Sequence, residues 1–123
     1  MLAVKEAKQL LESAKFDWLD EIYTYNVPKN EVDNTDNTVA LIRDVNTVSD
    51  LEGNDDFFAA QRQVEIQFFY KLEIEDTEQG EYEFLKLFKK NHWHVTQIRE
   101  HSIDPDTKQV TGTFYFTQLK IYA

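Results

Sequence analysis

A regular alternation of apolar and polar residues over positions 62–74 is the clearest structural signal in the chain. After Arg62, the odd positions are polar except at Phe69, and the even positions are apolar: Val64, Ile66, Phe68, Tyr70, Leu72 and Ile74. A repeat of two residues is typical of a strand that buries one face. At about 3.3 Å per residue the stretch would extend roughly 40 Å. We therefore expect a long central strand here.

Two other stretches repeat their apolar residues every three to four positions, which predicts amphipathic helices. Residues 2–15 form the first, and its apolar side would hold Val4, Ala7, Leu11, Ala14 and Trp18. Residues 76–91 form the second, with Glu81, Phe84, Leu85 and Phe88 near one side. Acidic side chains gather in the first half of the second helix and lysines near its end, which suits the helix dipole.

Four more strands are predicted from β-branched and aromatic content. Residues 22–27 and 38–44 precede the central strand, and residues 92–103 and 108–122 form a hairpin around an Asp-Pro-Asp-Thr turn. Residues 108–122 place large side chains at both odd and even positions. At least one strand of the hairpin should therefore be covered on both faces, by helices or by another subunit. The predicted order is helix, strand, strand, long strand, helix, strand, strand, in a single domain of residues 1–123.

Residues 45–61 lack a clean period and are predicted to form a connection of about 17 residues. Structureless connections of this length are uncommon in compact domains, so the segment is either functional or contains short elements. Phe57 and Phe58 stand at its end, beside Asp55 and Asp56. The two aromatic side chains either pack against the core or anchor an interface.

The net charge of −10 is concentrated in one part of the chain. Between Glu31 and Gln61 there is a single base, Arg43, and eight acids: Glu31, Asp33, Asp36, Asp44, Asp50, Glu52, Asp55 and Asp56. Affinity for nucleic-acid phosphates comes from lysine and arginine, so this balance argues against specific nucleic-acid binding. The acidic segment is either a solvated face, or a surface that repels DNA in a conduit, or one that docks a basic partner.

Other features of the composition argue against several classes of protein. The chain has no cysteine, which excludes disulfides and thiolate metal sites. Lys5, Glu6 and Lys8 interrupt the apolar residues at the N-terminus, so no signal peptide is expected, and no run is apolar enough for a membrane span. We expect a soluble intracellular protein.

Candidate chemistry is sparse. His92 and His94 would lie on one face of a strand at a spacing known from zinc sites, but His101 has the opposite parity and should point to the other face. The chain contains no nucleophile elbow, no glycine-rich phosphate loop and no H-E-x-x-H motif. We therefore predict no catalytic residues, no metal, no cofactor and no enzymatic activity.

The chain resembles the small tail-terminator, or tail-completion, proteins of long-tailed phages, including short proteins encoded in the tail-assembly regions of siphophages and prophages. The resemblance covers nearly the whole chain as a succession of elements. The segments on which the resemblance rests are the first helix with IYTYNVPKN after it, the acidic DLEGNDDFF, the strand RQVEIQFFYKLEI and the helix DTEQGEYEFLKLFKKN.

This resemblance implies an α+β fold, with two helices packed on one face of a mostly antiparallel sheet of about five strands. It also implies a homo-oligomeric ring, commonly a hexamer, that caps the tail tube and joins it to head-connector proteins, while DNA passes without specific binding. Such a subunit would be assembled in the host cytoplasm and reside in the virion tail, without contact with a membrane. The candidates for its interface or its lumen are Asp33, Asp36, Asp50, Glu52, Asp55, Asp56, Phe57, Phe58 and Phe69.

Two hypotheses from other classes stay open. An acidic inhibitor that mimics DNA would occupy a basic cleft, and it would need carboxylates spread over a rigid face. A small metal-binding or ligand-binding domain could use the same layout of helices and sheet, with His92 and His94 as its one hint.

Overall fold

A mixed sheet with two helices on one face makes up the part of the chain that the computed structural model describes, which is residues 1–31, 35–50 and 58–122. The helices are α1 (Ala3–Ala14) and α2 (Glu78–Lys90), and a short 3-10 helix spans Lys29–Glu31. The strands are β1 (Glu21–Thr24), β2 (Val39–Asp50), β3 (Phe58–Phe69), β4 (His94–Ile98), β5 (Ser102–Ile103) and β6 (Val110–Tyr122).

The strands are ordered β1-β2-β3-β6-β4, and β5 pairs with β6 alongside β4. All pairs are antiparallel except β1 with β2, which run parallel. The α+β class, the order of elements and the mostly antiparallel sheet expected from the sequence are confirmed. β3 is the central strand, because it pairs along its whole length with β2 on one side and β6 on the other.

The bounds of the central strands differ from the prediction. β3 occupies residues 58–69 rather than 62–74, and β2 continues to Asp50, so much of the predicted connection at 45–61 is strand. The alternation at 70–74 has no ladder to continue, because β2 begins opposite Phe69 and the β3–β6 pairing also ends there. Glu73 has a positive φ of 67° and Leu72 is 42% exposed, so the chain turns away from the sheet at this point.

The core lies between the helices and one face of the sheet. Val4, Ala7 and Leu11 of α1 and Phe84 and Phe88 of α2 pack there against inward-facing side chains of the strands. Phe68 lies at the centre: its ring contacts Trp18 at 5.3 Å, Phe84 at 4.8 Å and Phe114 at 5.9 Å. These edge-to-face arrangements are favoured by the quadrupoles of the rings.

The first helix ends at Ala14, within one residue of the predicted end, and the assignment of Trp18 to its apolar stripe is wrong. Lys15 adopts a left-handed conformation with φ of 50° and closes the helix. Trp18 then lies against the first turn of α2, where a Cβ atom on Gly80 would be 2.9 Å from the indole ring. Glycine at this helical position therefore permits close packing of the tryptophan.

Replacing Gly80 with alanine should destabilise the protein, although alanine is the better helix former. The helix propensity gain is about 1 kcal/mol, whereas overpacking costs about 1–3 kcal/mol, and Trp18 has little room because Phe16 stacks on it at 5.2 Å. We expect a lower free energy of unfolding in a urea titration. A Gly80→Ala/Trp18→Phe double variant should recover part of the loss, and a Gly80→Ala variant more stable than wild type would contradict the close packing.

Candidate functional site

Both long edges of the sheet are open in the part of the chain that the structure describes. β4 pairs only with β6, and all five of its residues are exposed, with Val95 at 46% and Ile98 at 52%. On the other side β1 covers only residues 39–42 of β2, so the rest of β2, including the exposed Val45, has no partner strand outside it. Open edges with apolar side chains are surfaces on which another chain can pair.

Each open edge also contains an irregularity. The register shifts between Asp44 and Asn46 in β2 and between Val95 and Gln97 in β4. Bulges of this kind twist an edge and interrupt its ladder, which limits pairing with further strands. The two edges are thus suited to short, specific contacts rather than to extended strand addition.

The outer ends of β2, β3 and β6 extend beyond the short strands β1 and β4, and we call this three-stranded part of the sheet the arm. It consists of residues 46–50 of β2, 58–62 of β3 and 118–122 of β6, in continuous antiparallel register. On the sheet face opposite the helices it carries the exposed aliphatic side chains of Leu119 and Ile121. The arm therefore presents apolar surface on the face that the helices do not cover.

The predicted interface residues are divided between the two ends of the sheet. The backbones of Asp50 and Phe58 lie together at the tip of the arm, where β2 ends and β3 begins. Phe69 is the last residue of β3, about 36 Å from Phe58 at 3.3 Å per residue. Asp36 is exposed in the bend before β2. Outside the described residues lie Asp33, Glu52, Asp55, Asp56 and Phe57.

Phe69 is half-buried on the sheet face opposite the helices. Its register partners are Val39 and Thr111, both buried, and Leu41 is also buried on that face. Phe69 is therefore part of a small apolar patch within the subunit. Because Phe69 and the tip of the arm lie at opposite ends of β3, one contact with another subunit cannot include both.

A buried arginine holds α1 onto the arm. Arg62 points toward the helices and is 4% exposed; its guanidinium donates to Glu6, to Gln118 and, at 3.1 Å, to the carbonyl of Met1. It also lies over the ring of Trp93, 5.9 Å from the centroid. Burial raises the pKa of Glu6, but hydrogen bonds and charges from Arg62 and Lys120 outweigh it and lower that pKa. A buried charge paired in this way is costly to break on either side.

A second polar cluster lies at the opposite end of the core. The Tyr70 hydroxyl donates to the carboxylate of Glu81, and Nε2 of His101 lies 2.7 Å from the same oxygen. A Cβ atom on Gly112 would be 3.1 Å from that oxygen, so glycine makes room for the carboxylate. Burial first, and then the hydrogen bond and charge of Glu81, raise the pKa of Tyr70 above its ordinary value.

The chemistry available to this cluster is limited by its geometry. Thr77 Oγ1 lies 3.5 Å from the same Nε2 of His101 that contacts Glu81. A nitrogen that donates its proton to a carboxylate cannot also remove one from a hydroxyl, so His101 does not activate Thr77 as a nucleophile. The cluster instead satisfies the hydrogen-bonding groups of a buried carboxylate and a buried phenol.

The three histidines do not converge. His94 is exposed and opposite Thr117 on the sheet face away from the helices, and His92 is exposed in the turn before β4 with φ of 69°. His101 faces α2 through Glu81. Within the described residues no three histidine, aspartate or glutamate side chains are close enough together to hold a metal ion.

Sequence reasoning missed Arg62 and noticed Glu81 only as part of a helical face. Both carried a signal: Arg62 has the same parity as the apolar residues of β3, and Glu81 falls on the apolar side of α2. Charged residues at buried positions are rare unless they are paired. Neither partner could be identified, because Glu6 lies 56 positions from Arg62 and His101 lies 20 positions from Glu81.

A family model described as "Protein of unknown function (DUF806)" matches residues 2–120. Comparison with curated proteins gives no match. None of the helices in the described ranges is long and apolar enough to cross a membrane.

The pKa of Tyr70 predicts an alkaline loss of stability. Because the pKa is raised only in the folded state, its contribution is complete below the ordinary tyrosine pKa of about 10 and is lost as the pH rises above that value, at up to about 1.4 kcal/mol per pH unit. We expect Tyr70→Phe to be about 1 kcal/mol less stable at neutral pH, yet to lose less stability between pH 9 and 11. Urea titrations across this range measure both effects.

The matched control for this experiment is Tyr82→Phe, which removes an exposed hydroxyl. It should leave the alkaline slope unchanged. The hydrogen bond to Glu65 raises the pKa of Tyr115 as well, so part of the slope should persist in Tyr70→Phe. Equal slopes for wild type and Tyr70→Phe would show that Tyr70 is not coupled to folding in this way.

Proposed function

The chain belongs to the DUF806 family of proteins of unknown function, and we propose that it is a structural subunit of a phage tail. As a ring of identical copies, it would cap the tail tube and form part of the interface that joins tail to head. It would act without catalysis or cofactor, contact tube and connector proteins, and let DNA pass without binding it specifically. The site of action is the virion tail, after assembly in the host cytoplasm.

The observation that carries this proposal is the pair of open sheet edges on opposite sides of one subunit. β4 exposes Val95 and Ile98, and the outer part of β2 exposes Val45. When two different surfaces of identical subunits meet head to tail, the contact repeats and closes into a ring if the rotation permits. A ring also covers the edges that an isolated subunit leaves open.

The bulges in both edges support closure of a ring rather than unlimited addition of subunits through their strands. Since each free edge is irregular within its exposed stretch, a neighbouring strand could pair with only a few residues. Contacts between apolar side chains would then set the angle between subunits.

The charge of the chain supports the passage of DNA through the ring. The segment between Glu31 and Gln61 has eight acids and one base. A lumen lined by carboxylates repels phosphates, so DNA would slide without sticking. The resemblance to tail terminators suggests six copies.

Replacing Val95 and Ile98 together with lysine should prevent assembly and leave the fold intact. Both side chains are half-exposed, so the substitutions cost the monomer little, while charges on an open edge oppose pairing. Size-exclusion chromatography with light scattering measures the mass, and negative-stain images of concentrated protein show whether rings with a central hole form.

The control is Leu72→Lys, which places a lysine on an apolar residue that is 42% exposed and lies outside the strands. It should assemble like wild type. Wild-type protein that stays monomeric at every concentration, both alone and with purified tail tubes, would rule out the ring. If that monomer bound a DNA-processing enzyme, the hypothesis of an acidic DNA mimic would replace that of a tail protein.

A further inference from the structure

A groove between the end of α1 and the exposed side of α2 is not used by the contacts described so far. We propose that it binds residues 50–58 of a neighbouring copy, so that the tip of one subunit's arm docks on the helices of the next. This inference deepens the proposed function and rests on its head-to-tail assembly.

The floor of the groove is apolar. It is formed by Ala14 and Phe16 after the last turn of α1 and by Tyr82 and Leu87 of α2. The groove is wide open to solvent, and its volume of about 800 Å³ is enough for several side chains. Tyr82 is 57% exposed although it is a large aromatic residue. An exposed aromatic in an apolar groove is typical of a site that anchors a partner.

The rim of the groove is basic, in contrast to the protein as a whole. It carries Lys86, Lys89 and Lys90, with Glu83 as its one acid. Glu83 accepts a hydrogen bond of 3.3 Å from Gln79, and Lys86 lies 5.2 Å from the centroid of the Tyr82 ring. The groove is thus a basic patch on a chain of net charge −10. Its best ligand is a segment that combines carboxylates with apolar side chains.

Residues 50–58 of this chain have that composition. Their sequence, DLEGNDDFF, contains four acids, no base, one leucine and two phenylalanines. The four acids would complement the three lysines on the rim, which leaves Glu31, Asp33, Asp36 and Asp44 to line the lumen. The phenylalanines would occupy the apolar floor. The mutual attraction of the two surfaces favours encounters between copies despite their net charge of like sign.

The two ends of the groove lie at different distances from residues 50–58. Phe16 stacks on Trp18 at 5.2 Å and Trp18 contacts Phe68 at 5.3 Å, so the end at Tyr82 lies near Phe68, ten residues or about 33 Å along β3 from Phe58. The end at Lys90 is nearer, because Trp93 packs on Arg62, four residues from Phe58. We assign the contact to a neighbouring copy because the proposed function joins copies head to tail. Docking within one subunit is the alternative, and the exchange of charges between copies distinguishes the two.

Two experiments test this contact. In the first, a fluorescently labelled peptide of sequence DLEGNDDFF is titrated with wild-type protein and with a Lys86→Glu/Lys89→Glu/Lys90→Glu variant, and binding is followed by anisotropy. We expect at least about tenfold weaker binding to the variant, and weaker binding of wild type at high salt. Peptides with amides in place of the four acids, or with serines in place of the two phenylalanines, should bind more weakly.

The second experiment exchanges charges between copies. The lysine variant and a Glu52→Lys/Asp55→Lys/Asp56→Lys variant should each fail to assemble, because each places like charges on both sides of the contact. Mixed in equal amounts, they should assemble, since every junction then joins opposite charges. Light scattering gives the masses, and circular dichroism with thermal melting checks that both variants fold.

A variant with Lys5, Lys29 and Lys71 all changed to glutamate is the control, because it has the same net charge and its three sites are exposed elsewhere. It should bind the peptide and assemble like wild type. The docking proposal is overturned if the peptide binds the lysine variant as tightly as wild type, if it does not bind wild type, or if the mixture stays unassembled. If wild type itself stays monomeric, the ring fails, and the peptide titration still decides whether the groove binds this segment.

Discussion

The covered face of β3 determines the architecture of this protein. Val64, Ile66 and Phe68 are fully buried in the middle of the sheet, because the two helices and the connection after α1, with Trp18, cover them. At roughly 25 cal/mol per Å² of apolar surface removed from water, this burial is the main force that holds α1 and α2 in place. The demands of close packing around Phe68 then explain why glycine occurs in α2, beside Trp18.

Paired polar groups mark both ends of the apolar core. Arg62 lies where the helical layer gives way to the arm, and Glu81 lies at the other end, near Tyr70. Each is nearly buried, and each is bonded by groups from several elements, since a buried charge without partners would be far more costly than one left in water. These clusters tie helices to particular strand positions in a way that apolar contacts, which lack direction, do not.

Periodicity predicted the fold where side chains are buried and failed where they are not. The inward residues of β3 up to Tyr70 are confirmed, and so are the order of elements and Phe84 and Phe88 on the buried face of α2. The arm was missed because its described buried residues, Ala59, Ala60 and Arg62, do not continue the apolar–polar alternation of Val64, Ile66 and Phe68. The assignment of residues 70–74 to the strand was wrong for the opposite reason: alternation continued after the partner strands had ended. Leu72 is exposed there, whereas Ile74 still packs against the core. The candidate site depends on the edges of the sheet and on pairs of residues far apart in the chain. Neither can be identified from the local pattern of a single sequence.

The Arg62 cluster has a consequence for how the chain is made. Glu6 is bonded to Arg62 and to Lys120, which is 114 positions away, and Gln118 completes the same cluster. Contacts between residues so far apart form slowly, since a long loop must close before they contribute any stability. During synthesis α1 emerges first, but the groups that hold it in place emerge last. The first residues to be translated therefore complete their polar contacts only after the last strand has been made.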